Sequence, residues 1–293
     1  MKLIRKLMFV SLLTGVALLA GGCERPTVGS ATTATAASAD GVEIRHDVAG
    51  QGETALVFVH CWTCNRRFWD ESFAYFSKGY RVVRLDLAGH GESGKGRQNY
   101  TMDAFGGDVV AVADKLGLKR MVLVGHSMGG PVSLEAEKRL GARVIGVVGV
   151  DVFHTGFPVP RDDKEVAAFV KPFKDDFKNH SGRFVRSMFT PRSDPALIDR
   201  ISGMMLNTDQ TMAISAIANT LTWFRRDAAS AFVRLGGRLR NVNADPKGEN
   251  KPPHKSVTLI AGVGHFVAQE KPAEFNRALE NIVTGFESAT PKK

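Results

Sequence analysis

The chain has 293 residues, enough for one large α/β domain or two small ones. Its formal charge is +9, but three of its 39 basic side chains (Lys2, Arg5 and Lys6) fall in a leader, leaving 36 against 30 acidic ones. That modest excess describes a solvated exterior, or at most an attraction to an anionic membrane surface. With no nucleic-acid motif and no internal repeat, it speaks against a nucleic-acid binder and against a repeat array.

Met1 to Lys6 is a charged start, Leu7 to Ala20 a largely apolar run, and Gly21-Gly22-Cys23 a small-residue exit. Together they predict a secretory signal over residues 1–22. The apolar run is too short for a transmembrane helix. The exit resembles a bacterial lipobox, which implies that Cys23 becomes the lipid-modified N-terminus of a periplasm-facing envelope protein, with the membrane as its partner. The departure from that pattern is Ala20 where leucine is commonest, with Leu19 one place further back. Ordinary cleavage nearby, releasing a free soluble protein, is the competing reading. Glu24 to Asp40 is rich in Ala, Thr and Ser, and residues 23–40 are expected to be a flexible tether.

Val42 to Val48 alternates as an edge strand would, and strands follow at Ala55–His60, Arg81–Leu85, Arg120–Gly125 and Val144–Val150. Runs such as Val57-Phe58-Val59 fit strands buried on both faces of a parallel sheet. A helix over Met102–Leu116 places Phe105, Val109, Val110, Val112 and Leu116 on one broad face. Alternating strands and helices predict a mostly parallel, doubly wound sheet.

The segment Met121-Val122-Leu123-Val124-Gly125-His126-Ser127-Met128-Gly129-Gly130-Pro131 joins a buried strand to a helix through G-x-S-x-G. Such a tight turn forces the serine into a strained backbone with its hydroxyl at the tip. Side chains two positions either side would collide, so glycine is wanted at both. The helix behind it aims free N–H groups at the same spot, and Pro131 costs nothing in a first turn. A serine that only caps the helix is the plainer alternative.

From Val152 to about Leu235 strand patterning stops and helical text takes over, for example Asp163–Lys171 and Thr211–Phe224. Its apolar residues include Phe184, Met188, Phe189, Met204, Met205, Leu221, Trp223 and Phe224, most of them expected to be packing. Strands resume at Arg238–Val242 and Ser256–Ile260. A closing helix over Pro272–Phe286 carries Phe275, Leu279, Ile282 and Val283 on one face.

Four motifs now stand in order: His60-Cys61-Trp62 after a strand, Asp86-Leu87-Ala88-Gly89-His90-Gly91-Glu92-Ser93, Gly125-x-Ser127-x-Gly129, and the late Gly264-His265. Together they resemble the α/β-hydrolase superfamily over about residues 41–286. The resemblance implies an α/β-hydrolase core formed by residues 41–151 and 236–293. It also implies a helical cap, residues 152–235, inserted between the sixth and seventh strands.

It implies roles as well. Ser127 would be the nucleophile and His265 the base. Superfamily order, serine then acid then histidine, admits Asp245 after the seventh strand, the preferred acid, and Asp151 after the sixth, the alternative. The backbone N–H groups of Trp62 and Met128 would form the oxyanion hole. Cys61 departs from the usual glycine there, which puts the geometry at Trp62 in question. His60, His90 and His126 read as structural, and Asp86 as bonding its own turn.

Superfamily members that open epoxides or dehalogenate alkanes carry aspartate at the elbow. Serine points instead to hydrolysis of a carboxylic ester, thioester, amide or carbon–carbon bond, or to cofactor-free perhydrolysis, on a small-molecule acyl substrate. No metal cluster and no dinucleotide fingerprint is legible, so no cofactor and no metal are implied. A non-catalytic envelope binding protein is one competitor; a thiol–disulfide enzyme built on Cys61-x-x-Cys64 is another. Apart from Cys23 these two cysteines can pair only with each other, or stay as two thiols.

Overall fold

A computed structural model describes residues 31–290. The expected signal and Cys23 lie outside them. Eight strands form one sheet in the order β1-β2-β4-β3-β5-β6-β7-β8. In chain order they are β1 (Thr32–Ala37), β2 (Glu43–Ala49), β3 (Ala55–Val59), β4 (Arg81–Leu85), β5 (Met121–His126), β6 (Val144–Val150), β7 (Leu239–Asp245) and β8 (Val257–Ala261). Both pairings of β2, with β1 and with β4, are antiparallel, and every other pairing is parallel.

Every residue of β3, β5 and β6 is buried, because helices cover both faces of a parallel sheet. Those helices are α1 (Asp70–Phe76), α2 (Met102–Lys115) and α3 (Gly129–Leu140), with α9 (Val267–Glu270) and α10 (Pro272–Ala289) at the end of the chain. The helices α2 and α3 pack closely at Gly106, where a Cβ would lie 2.8 Å from that of Glu135.

Between β6 and β7 the chain leaves the sheet for five helices, α4 (Asp163–Asp175), α5 (Phe177–Arg186), α6 (Pro195–Leu206), α7 (Gln210–Arg226) and α8 (Ala228–Leu235). This is the helical cap. Met205, Leu221 and Trp223 are buried in it, and the Trp223 indole donates to Glu135 Oε1 at 2.7 Å, fastening α7 to α3.

The tether needs correction. Thr32–Ala37 is not free chain but an edge strand paired along Glu43–Val48. An edge strand can form on main-chain hydrogen bonds and β-tolerant threonines without a run of large apolar residues; here only Ala36 of the six is buried. The hairpin behind it is fixed from inside the protein. Ser38 Oγ donates to Asp108 Oδ1 at 2.7 Å, and Arg97 bridges Asp40 and the fully buried Asp108.

Candidate active site

The strand β5 ends at His126, and Ser127 takes φ +51° before α3 begins at Gly129. A non-glycine residue in the left-handed region is strained, and the neighbours show why the chain accepts it here. A Cβ on Gly125 would sit 2.1 Å from the Gly129 carbonyl oxygen, and one on Gly129 would sit 2.5 Å from that of Val59. Both glycines are therefore obligatory. The Ser127 N–H donates to the Val150 carbonyl at 3.0 Å, which fixes the turn to the end of β6.

Asp151 is the next residue of that neighbouring strand, also at positive φ, +45°. Its Oδ1 accepts from the Ala244 N–H at 2.8 Å, and its Oδ2 lies 2.7 Å from Nδ1 of His265. The alternative acid is thus the one that reaches the histidine. Asp245 does not, and the preference for it is corrected. Its carboxylate accepts from the N–H groups of Gly248, Glu249 and Asn250 and closes its own loop. Those donors, Asn250 foremost, hold its pKa below the usual carboxylate value.

His265 is fixed through its main chain as well. Its N–H donates to the Met188 carbonyl at 2.9 Å, and its carbonyl accepts from His126 Nε2 at 2.9 Å. The His126 ring lies 4.6 Å from the His265 ring and stacks on Phe68. Burial, and then the nearby His265, push the His126 pKa well below its ordinary value, so it remains a neutral donor.

His60 is equally structural. Its Nδ1 donates to the Cys61 carbonyl, its Nε2 accepts from the Leu87 N–H, and burial lowers its pKa to about 4. His90 donates to the Ala88 carbonyl, and burial lowers its pKa to about 3. Asp86 accepts from the Glu92 N–H, closing its turn, and also from the main chain and guanidinium of Arg66. Arg66, which no sequence motif marks, also pairs with Asp47 and Glu92 and anchors the loop behind Trp62.

Trp62 and Met128 both present main-chain N–H groups that no backbone carbonyl engages among the described residues. Cys61 is not at positive φ; Thr63 is, at +55°. A side chain at the usual glycine position is therefore tolerated, and the strain falls two residues later. Cys61 and Cys64 form a disulfide across this turn, and each is 1 % exposed. Such burial denies a protein partner the access that thiol–disulfide exchange requires. The Trp62 indole donates to the Ala213 carbonyl of α7 at 2.7 Å, and its ring packs edge-on against Phe173 and Phe184.

Breaking the disulfide in a Cys61→Ser/Cys64→Ser variant is expected to loosen the Trp62 N–H. With the Trp62 N–H in the oxyanion role that the superfamily resemblance implies, kcat should then fall by at least about tenfold, bounded by the roughly 10²–10³ that losing one such donor costs. Ester turnover of this variant, beside thiol titration of the unfolded wild type without reductant, checks both the effect and the bridge.

Residues 56–278 match the sequence model of the alpha/beta hydrolase family. The chain is 25 % identical to the dihydrolipoyllysine-residue acetyltransferase component of the acetoin cleaving system of Cupriavidus necator, over 85 % of this chain and 68 % of that one. It is 37 % identical to a non-heme haloperoxidase of Rhodococcus erythropolis, over only 32 % of this chain and 34 % of that protein. In structure it resembles a thermophilic esterase from Thermogutta terrifontis, with a TM-score of 0.73 at 19 % identity, covering 87 % of this chain and 99 % of the esterase.

Proposed function

The chain belongs to the α/β hydrolase family, and from that premise and the geometry around Ser127 we propose that it cleaves carboxylic esters through an acyl-enzyme. The observation that carries this reading is the pairing of His265 with Asp151 beside a strained serine elbow. Asp151 holds the Nδ1–H tautomer, leaving Nε2 to take the proton from the Ser127 hydroxyl as Oγ attacks the acyl carbon. The N–H groups of Met128 and Trp62 receive the developing oxyanion. His265 then protonates the leaving alcohol, and the same base activates water to release the acid and restore Ser127.

A fluorophosphonate probe should label the wild type, fail on Ser127→Ala, and still label Cys61→Ser. Labelling that survives in Ser127→Ala would dismiss the proposal. A panel of p-nitrophenyl esters of increasing acyl length then defines the substrate class.

Likeness to a bifunctional esterase/perhydrolase of Acinetobacter calcoaceticus, 39 % identical over 31 % of this chain and 34 % of that protein, favours one second reading, perhydrolysis at the same serine. Hydrogen peroxide would replace water in the second half-reaction, and peracid formed from acetate and peroxide is its signature. We further propose that the enzyme works in the cell envelope, carried by a lipid on Cys23. The short apolar leader and the cysteine behind Gly21-Gly22 support this.

A further inference from the structure

The turn of the cap between α5 and α6 is joined at several points to the loop that carries His265. The Met188 carbonyl accepts the His265 N–H at 2.9 Å, and the Phe189 ring stacks on Phe266 with centroids 4.5 Å apart. Arg192 adds a tie to a different loop, the one after β7, donating to the Pro246 carbonyl at 3.0 Å. A Cβ on Gly264 would lie 2.3 Å from the Met188 oxygen, so the two backbones touch.

One side chain spans the seam. Glu270 Oε1 accepts the N–H of Gly264 at 2.8 Å, and Oε2 accepts the hydroxyl of Ser193. Ser193 Oγ in turn accepts from the Thr190 N–H at 3.0 Å, which shapes the cap turn itself. The carboxylate therefore links the residue before His265 to the segment whose carbonyl holds His265.

We propose that Glu270 is a positioning residue: with the Met188–Ser193 turn it forms a clasp that sets where the His265 backbone lies, so the cap is part of what makes the base competent. The inference rests on the reading of Ser127 as nucleophile and His265 as base. Glu270 touches neither side chain. Its effect passes through the main chain of Gly264 and His265, and it should appear in the chemical step rather than in substrate binding.

The test compares Glu270→Ala, Glu270→Gln and Ser193→Ala with the wild type, using p-nitrophenyl acetate turnover, fluorophosphonate labelling rates and thermal melting. Glu270→Ala should lose on the order of 10²-fold in kcat, the scale of a displacement of about 1 Å of a catalytic group, with KM unchanged. Glu270→Gln should recover most of that loss, because its amide oxygen can still accept the Gly264 N–H. Ser193→Ala, which frees the carboxylate from the cap alone, should fall between them.

Wild-type kcat in Glu270→Ala, or losses that follow the melting temperature and are shared equally by the glutamine variant, would overturn the clasp. If Glu270→Ala does not fold, Ser193→Ala decides: unchanged kcat there rejects the proposal, and lowered kcat at constant KM supports it. A wild type that neither labels nor turns over ester instead points to failure of the serine-hydrolase reading.

Discussion

Replacing Ser127 by alanine should lower kcat by about 10⁶-fold, the scale seen when a serine nucleophile is removed, with the fold unchanged. The size follows from what remains. The proposed oxyanion donors and the binding surface persist, but no acyl-enzyme can form, so only catalysis by positioning survives. The fold should tolerate the change because the turn is specified by Gly125, Gly129 and the bond from the residue-127 N–H to Val150, none of which uses the hydroxyl. Alanine at φ +51° is strained much as serine is. Ester turnover and melting measured on the same preparation check it; retention of a tenth of wild-type kcat would remove Ser127 from the mechanism.

The second large effect separates two carboxylates. Asp151→Asn should cost about 10⁴-fold in kcat, because an amide facing Nδ1 can donate and favours the tautomer with Nε2 protonated, which cannot accept the serine proton. Asp245→Asn should leave kcat near the wild-type value, since its amide oxygen can still accept the Gly248 N–H. The comparison is informative in either direction. A crippled Asp245→Asn beside an active Asp151→Asn would return the acid to the end of β7.

Asp151 follows β6 and Asp245 is the last residue of β7, so both stand at strand ends and sequence order could not choose between them. Strand register separates them. The Ser127 N–H bonds Val150, and the Asp151 N–H bonds Val242, so the elbow and Asp151 leave the sheet side by side. Asp245 lies further along β7, and its surroundings did carry a signal. Asp245-Pro246-Lys247-Gly248 has Asp, Pro and Gly at the first, second and fourth places of a type I turn, and the Gly248 N–H bonds the Asp245 carbonyl. A carboxylate in that place tends to be taken by its own turn.

The sheet centre was legible because burial on both faces demands unbroken apolar runs, as in β3, β5 and β6. The strand β1 was not, because an edge strand of threonine and alanine has the composition of a linker. Counting held a clue: a cap inserted after the sixth strand needs one more strand than the five read between Val42 and Val150. Arg66 and Glu270 were illegible for another reason. Their importance lies in partners distant in sequence, such as Asp47 and Ser193, and no local pattern marks such pairs.

The early start of β1 also sets a length. Only eight residues separate Cys23 from Thr32, and the nine steps of chain between the two span at most about 30 Å. A tether running to Asp40 would have reached about twice as far, roughly 60 Å. With a lipid on Cys23, as proposed, the sheet edge is leashed within about one hydrocarbon-core thickness of the bilayer surface. The enzyme would then patrol a thin shell beside its own membrane, meeting esters that dwell at or leave that surface, and reaching nothing deeper in the compartment.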